Sequence, residues 1–232
     1  MGKELRKRLI TSIALFLLAI FCIFINYKIF FIAVLLISGF AWNEIKKITY
    51  RITCNNLLIN LLTLFYAFGI FAATAVGLYL LLGPVFFLYI LSICICSDVG
   101  GYVIGKKIGG TKLTKISPNK TISGSLGSFC LSILPLLVFY NFDKSEYSYS
   151  INNFLLCLGV SLVCQLGDIF ISYLKRKAKV KDTGRILPGH GGILDRIDGI
   201  IFAIPFAYIY HIGLTEYFEI WIEIISNAFK NL

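Results

Sequence analysis

The sequence predicts an all-α fold: a polytopic integral membrane helical bundle of about seven transmembrane helices with a cytoplasmic N-terminus. Three observations predict it. Of 232 residues, 58% are hydrophobic and 15% charged, with a mean hydropathy of +0.83, and a soluble domain of this length lacks the interior to bury so much apolar surface. Apolar runs recur at close to the roughly 20 residues that a helix needs to cross a bilayer core of about 30 Å. Basic residues then fall into alternate loops, the pattern that retention of Lys and Arg in the cytoplasm produces. Five prolines and the lack of a Ser/Pro-rich tract leave no linker. The expectation is therefore one membrane-embedded domain over residues 1–232, with N-terminal spans over about 9–82 and a second part over about 84–214.

The first span is expected over about 9–25, within MGKELRKRLITSIALFLLAIFCIFI. Its basic start resembles a signal peptide, but the apolar run is long and no small-residue cleavage site follows, so it is read as retained. A short second span over about 29–42 follows Asn26, Tyr27 and Lys28. The stretch from 57 to 97 is nearly continuous and is broken only at Gly83-Pro84, which divides it into spans over about 57–81 and 84–104. Three more are expected over about 124–140, 152–174 and 198–214. In the tail EYFEIWIEIISNAFKNL, residues Phe218, Trp221, Ile222, Ile225 and Phe229 fall near one face, the pattern of an interfacial amphipathic helix. The seven cysteines lie mostly in apolar runs without ligand spacing and read as small buried residues.

With the N-terminus inside, one set of loops holds Lys3, Arg6, Lys7 and Arg8; Lys46, Lys47 and Arg51; Lys106, Lys107, Lys112, Lys115 and Lys120; and Lys175, Arg176, Lys177, Lys179, Lys181, Arg185 and Arg196. The other set holds Lys28, Lys144 and Lys230, nineteen basic residues against three. This places the loops around 106–120 and 175–196 in the cytoplasm, where nucleotides are. The net charge of +10 suits phosphate headgroups and phosphorylated substrates.

The twelve acids are more selective. Asp98, Asp168, Asp195 and Asp198 sit in or at the edge of apolar segments, where a carboxylate is expensive unless it faces a cation, a basic partner or a wet cavity. Asp168, Ser172 and Lys175 share one helical face, either as an internal Asp-to-Lys pair or as part of a site. Asp195 and Asp198, three residues apart after PGHGG, are spaced to share a hard divalent cation, and equally lie where a helix N-terminus favours negative charge. Gly191 and Gly192 let backbone N–H groups approach an anion. His190 is a candidate base or a loop-orienting group. The loop SDVGGYVIGKKIGGTKLTKISPNKTISGS offers a second phosphate-facing segment through Asp98, Ser117, Lys120 and Thr121, and no GxxxxGK[ST] pattern occurs anywhere.

These loops and acids are the equipment for phosphate chemistry on a substrate anchored in lipid. The run SYLKRKAKVKDTGRILPGHGGILDRID, Ser172 to Asp198, resembles the signature of the CDP-diacylglycerol synthases, or phosphatidate cytidylyltransferases: S-x-hydrophobic-K-R, four residues, K-D-x-small, then L-P-x-H-G-G-hydrophobic-x-D-R-hydrophobic-D. Every specified position is filled. The upstream segment resembles the family's SPxKTxxG motif, with Asn119 and Ser123 where relatives often carry Lys and Glu.

The resemblance implies a membrane enzyme, multi-pass in the cell (inner) membrane with its active site facing the cytoplasm, that joins CTP to phosphatidic acid. The products would be CDP-diacylglycerol and pyrophosphate, for phospholipid biosynthesis. It implies a Mg²⁺ site, with K⁺ as a candidate neighbour, held by Asp168, Asp195 and Asp198. The chemistry assigns Lys175, Arg176, Lys181 and Arg196 to substrate or pyrophosphate charge, Lys181 being grouped with the three acids as catalytic. Ser117, Lys120 and Thr121 are assigned to CTP or lipid phosphate, and Asp98, Ser172, His190, Gly191 and Gly192 to substrate binding. The attacking phosphate is already anionic, so no strong base is needed. No nucleic-acid partner is expected, and a homodimer is an open expectation. A CTP-dependent lipid or polyprenol kinase would use the same groups, and a secondary transporter would also carry membrane acids, although no internal repeat is visible.

Overall fold

The computed structural model describes residues 3–53, 56–114, 116–117, 120–144, 146–184, 186–187 and 191–213, with side chains of the first helix from Ala14 onward. The expected amphipathic helix of the tail, and His190, lie outside the described residues.

The chain is all-helical in layout. Helix α1 (Lys3–Ile25) is followed by α2 (Tyr27–Thr53), α3 (Leu57–Leu64), a π-helical turn (Phe65–Ala72) and α4 (Ala73–Ile108). After the first basic loop come α5 (Ile122–Ser132), α6 (Leu134–Phe139), α7 (Ile151–Lys177), α8 (Leu194–Ile197) and α9 (Ile200–Gly213). Tyr27–Thr53, Leu57–Ile108, Ile122–Phe139 and Ile151–Lys177 are long and apolar enough to cross a membrane, and Ala14–Ile25 and Ile200–Gly213 are shorter apolar helices.

The 52-residue stretch Leu57–Ile108 is two crossings. Gly83 adopts φ 82°, ψ 175°, a left-handed backbone that glycine alone takes at little cost, and Pro84 restarts the helix without needing the N–H that it lacks. Phe71 and Ala75 before the break, and Phe87 and Leu91 after it, line one cavity with Phe30. Twenty residues of straight helix would hold Phe71 and Leu91 about 30 Å apart, so the chain doubles back at Gly83. Seven helical segments thus occupy the expected span positions. Phe30 locks this hairpin by stacking on Tyr79 at 4.1 Å between ring centroids and meeting Phe87 edge-on at 4.8 Å.

The second segment differs from expectation in length. Its apolar run ends near residue 42, yet α2 continues to Thr53 because Ala41, Glu44, Ile45, Ile48 and Thr49 are buried at helical spacing. Lys46, Lys47 and Arg51 therefore sit on a helix end rather than in a loop. Elsewhere large side chains such as Leu18, Leu57, Leu61 and Leu80 are more than half exposed, which suits a surface solvated by lipid tails and not by water.

Helices α4 and α5 cross most closely. A Cβ on Gly100 would collide with the Gly127 carbonyl oxygen, and one on Gly105 would lie 2.9 Å from Thr121 Oγ1. Glycines at this crossing let the backbones approach within van der Waals range, the device by which membrane helices associate. The crossing fixes the start of α5 against the end of α4.

Candidate active site

Helix α7 presents Asp168, Ser172 and Lys175 along one face, and Ser172 Oγ donates to Asp168 Oδ1 at 3.3 Å. The two charged members have other partners. Asp168 forms an ion pair with Lys120 at the start of α5, and Lys175 Nζ donates to Asp195 Oδ1 at 2.8 Å. The internal Asp168-to-Lys175 pair that the spacing allows is replaced by two bridges to distant loops. Asp198, between α8 and α9, meets Asp168 side chain to side chain and lies within electrostatic reach of Lys175 and Asp98. Asp98 on α4 is within reach of Asp168 and Lys120. Four acids and two ammonium groups from α4, the loop before α5, α7 and the 194–198 segment are thereby drawn together.

A cavity of about 320 Å³ opens beside them, lined by Asp98, Ser117, Lys120, Thr121 and Asp168 together with Tyr102, Ser125 and Gln165. Thr121 ends the basic loop in extended backbone, and its Oγ1 accepts from Gly124 N at 3.1 Å as the N-cap of α5. Ser123 Oγ donates to the Gly109 carbonyl oxygen, which ties the two ends of the loop, while Asn119 lies outside the described residues. From this cavity a chain of polar contacts runs into the bundle. Ser125 Oγ donates to Gln165 Oε1 at 2.6 Å, Gln165 Nε2 donates to Ser161 Oγ at 3.2 Å, and Ser161 and Ser97 hydroxyls lie 2.8 Å apart.

The segment after α7 folds back around Asp195. Asp195 Oδ2 accepts from Thr183 N at 2.8 Å, Thr183 Oγ1 at 3.0 Å and Gly192 N at 2.9 Å. Burial pushes this carboxyl up, but the hydrogen bonds from Lys175, Gly192 and Thr183 outweigh it and hold the group below the ordinary carboxylate value. Gly191 has φ 85° and its carbonyl accepts from Leu187 N at 2.9 Å, while a Cβ there would come 2.8 Å from Asp195 Oδ2. A carboxylate that was not singled out in the sequence, Glu44 of α2, accepts from Thr183 Oγ1 at 2.7 Å, Ile193 N at 3.1 Å and Leu194 N at 2.9 Å.

The remaining predicted residues are more dispersed. Lys181 lines a separate cavity of about 380 Å³ with Lys47, Arg51, Asp182 and Thr183. Arg176 and Arg196 are exposed. Gln165, Ser125, Thr183 and Glu44 were not legible as site residues, since uncharged polar residues and one acid beside an interfacial lysine pair carry no distinguishing pattern.

For a hard divalent cation the donor chemistry fits. The acids supply oxygen donors of the kind Mg²⁺ prefers, and Asp168 and Asp198 stand side chain to side chain, where a cation would relieve the repulsion of like charges. Among the described residues no three His, Cys, Asp or Glu side chains already converge as a metal site. Asp195 Oδ2 is committed to its own segment, and Asp195 Oδ1 faces the Lys175 ammonium.

Fold and site together define a polytopic helical membrane protein with a carboxylate-and-lysine site at one end of its bundle. More narrowly, the chain belongs to the cytidylyltransferase family, whose model matches residues 53–213. It is similar to phosphatidate cytidylyltransferase of Helicobacter pylori, at 40% identity over 147 residues that cover 63% of this chain and 53% of the relative. Enzymes of that name from Staphylococcus aureus and Bacillus subtilis are 47% and 43% identical over 126 and 124 residues, in each case 52% of this chain and 46% of the relative. The chain thus matches about half the length of these curated relatives.

Proposed function

We propose that this protein transfers the cytidylyl group of CTP to phosphatidic acid, giving CDP-diacylglycerol and pyrophosphate for phospholipid synthesis. The observation that carries the reading is the cavity in which Asp98, Ser117, Lys120, Thr121 and Asp168 stand together, next to Asp198 and the Lys175–Asp195 pair. Membership of the cytidylyltransferase family and the names of the relatives support it.

In this reaction a phosphatidate phosphate oxygen attacks the α-phosphorus of CTP, and the bond to the β-phosphate oxygen breaks, so that pyrophosphate leaves with its electron pair. The attacking oxygen is already anionic, and the chain needs to orient it and to take up charge instead of removing a proton. Lys120 and Lys175 are each held by a carboxylate, Asp168 and Asp195, that keeps its ammonium group in place. Ser117 and Thr121 offer hydroxyl contacts to phosphate oxygens from the same cavity wall. Lys181, with Lys47 and Arg51, would meet phosphate at the second cavity. Asp168, Asp195 and Asp198 would hold Mg²⁺, with K⁺ as a neighbour. Such a cation supplies neutralisation of charge on the reacting phosphates.

The charge asymmetry of the loops supports a cytoplasmic site in the cell membrane, where CTP is available, and the apolar flanks of the bundle give the diacylglycerol part a lipid surroundings. A homodimer belongs to this proposal only as a state to be measured. Incubation of the purified protein with CTP labelled in the cytidine, phosphatidic acid and Mg²⁺ tests the reading. Label in the lipid with release of pyrophosphate is the expected result. Release of CDP with a phosphorylated lipid would mean γ-phosphate transfer instead, and no CTP consumption would remove the enzyme reading.

A further inference from the structure

We propose that Glu44 is a positioning residue for the site: from α2 it clamps the segment 183–195, and so sets where Asp195 and, one turn on, Asp198 stand. The inference rests on the cytidylyltransferase reading above. Glu44 lies nine residues before the segment that the family model matches, on a helix that the sequence presents only as a membrane span.

The argument begins with burial. Glu44 is 1% exposed, and a carboxylate so enclosed is tolerated only where donors replace water. Among the described residues its donors all come from one stretch of chain some 140 to 150 residues away: the Thr183 hydroxyl at 2.7 Å and the backbone N–H groups of Ile193 and Leu194 at 3.1 and 2.9 Å. The stretch is shaped to receive it. A Cβ on Gly184 or on Gly192 would collide with the Glu44 carboxylate, so the small residue after K-D-x and the second glycine of H-G-G are the two walls of its seat. The motif's glycines therefore serve a side chain outside the motif.

The clamp is linked to the site by a single proton. Thr183 Oγ1 stands 2.7 Å from Glu44 Oε2 and 3.0 Å from Asp195 Oδ2, and a hydroxyl has one hydrogen to donate. The two carboxylates share that hydroxyl, and Asp195 is fixed further by Thr183 N and Gly192 N. Asp195 in turn holds Lys175. Loosening Glu44 lets Thr183, Asp195 and Lys175 move together, without touching any group that lines the 320 Å³ cavity.

The test uses the full-length membrane protein with Glu44→Gln, Thr183→Val and the double variant. Gln keeps the shape of Glu44 but turns one acceptor into a donor that faces N–H groups, and Val removes only the shared hydroxyl. Each single change is expected to lower kcat for cytidylyl transfer about 10- to 100-fold, with the KM for CTP changed by less than about threefold. The double variant is expected to lose no more than the worse single one, because both remove one linkage. Ser38→Ala on the same helix, at a buried hydroxyl without a partner among the described residues, should leave kcat and KM unchanged. Independently of activity, trypsin cleavage after Lys181 and Arg196 should quicken in Glu44→Gln while cleavage after Lys144 does not.

A kcat within about twofold of the parent, losses that multiply in the double variant, or an unchanged trypsin pattern would each overturn the proposal. Should Glu44→Gln not fold, Glu44→Asp, which keeps the charge but withdraws the carboxylate from its donors, takes its place in both the kcat and the trypsin comparison. Should the parent protein transfer no cytidylyl group, the functional reading fails by itself, and the trypsin comparison still decides whether Glu44 holds the segment.

Discussion

Asp168 and Asp198 are the two acids that stand side chain to side chain, and Asp168 is answered besides by the Lys120 ammonium group. Asp195 is satisfied by Lys175, Thr183 and Gly192, whereas Asp198 meets another carboxylate. Replacing either Asp168 or Asp198 by Asn keeps the size and removes the charge that a cation would answer. Turnover measured as CTP-dependent lipid labelling is expected to fall at least about 100-fold in either variant, with the protein still in the membrane fraction; near-normal labelling would remove the metal assignment. Lys120→Ala should act differently. It deletes the ammonium group on Asp168 and one wall of the cavity, so the KM for CTP or for phosphatidate is expected to rise about tenfold. Unchanged steady-state constants would make the loop around it structural only. The acids were legible because a carboxylate in an apolar run demands a reason. Their pairing was not, because helical spacing puts Asp168 and Lys175 on one face while the ion pairs that form are to residues 48 positions before and 20 positions after them.

At the scale of elements, the α4–α5 crossing decides whether the cavity exists. Gly100 against Gly127 and Gly105 against Thr121 and Gly124 leave no room for a side chain, and the same crossing places Thr121 and Lys120 opposite Asp98 and Asp168. Gly127→Leu is expected to force the helices apart at a cost of about 1–3 kcal/mol, read as a lower unfolding midpoint in detergent, together with loss of CTP-dependent labelling. Leu at the exposed position Cys130 of the same helix should change neither, and equal effects at both positions would refute the crossing as the determinant. The break at Gly83-Pro84 and the order of apolar helices were readable, since backbone chemistry and hydropathy act locally. The extension of α2 through Glu44 to Thr53 was not. It depends on Ala41, Glu44, Ile45 and Ile48 finding a surface to bury against, and that surface joins residues of the next helical stretch, such as Ile59 and Tyr66, to Phe170 and Ile171 more than a hundred positions later.

For the whole molecule the question is which loops share a side of the membrane. The two loops that build the site, around 109–121 and 178–193, are joined to it through helices that run in opposite senses, so they can meet only if an even number of crossings separates them. Between them lie the α5–α6 stretch and α7. The weaker of the two is Ile122–Phe139, 18 residues long and interrupted by Pro135, which at 1.5 Å per residue reaches about 27 Å, barely the thickness of a hydrocarbon core. If it crosses, Lys144 lies on the face opposite to Lys112 and Lys181, in agreement with nineteen basic residues against three. If it only dips into the bilayer, α7 must enter from the wrong side, and Lys175 and Asp168 could not share an end of the bundle with Lys120. Single cysteines at Lys112→Cys, Lys144→Cys and Lys181→Cys in a background without the seven native thiols decide this with a membrane-impermeant maleimide on sealed inverted vesicles. Positions 112 and 181 are expected to label from outside such vesicles and position 144 only after they are opened. Labelling of 112 and 144 from one side and of 181 from the other would contradict both the charge pattern and the ion pair between Lys120 and Asp168, because that pair requires the full crossing.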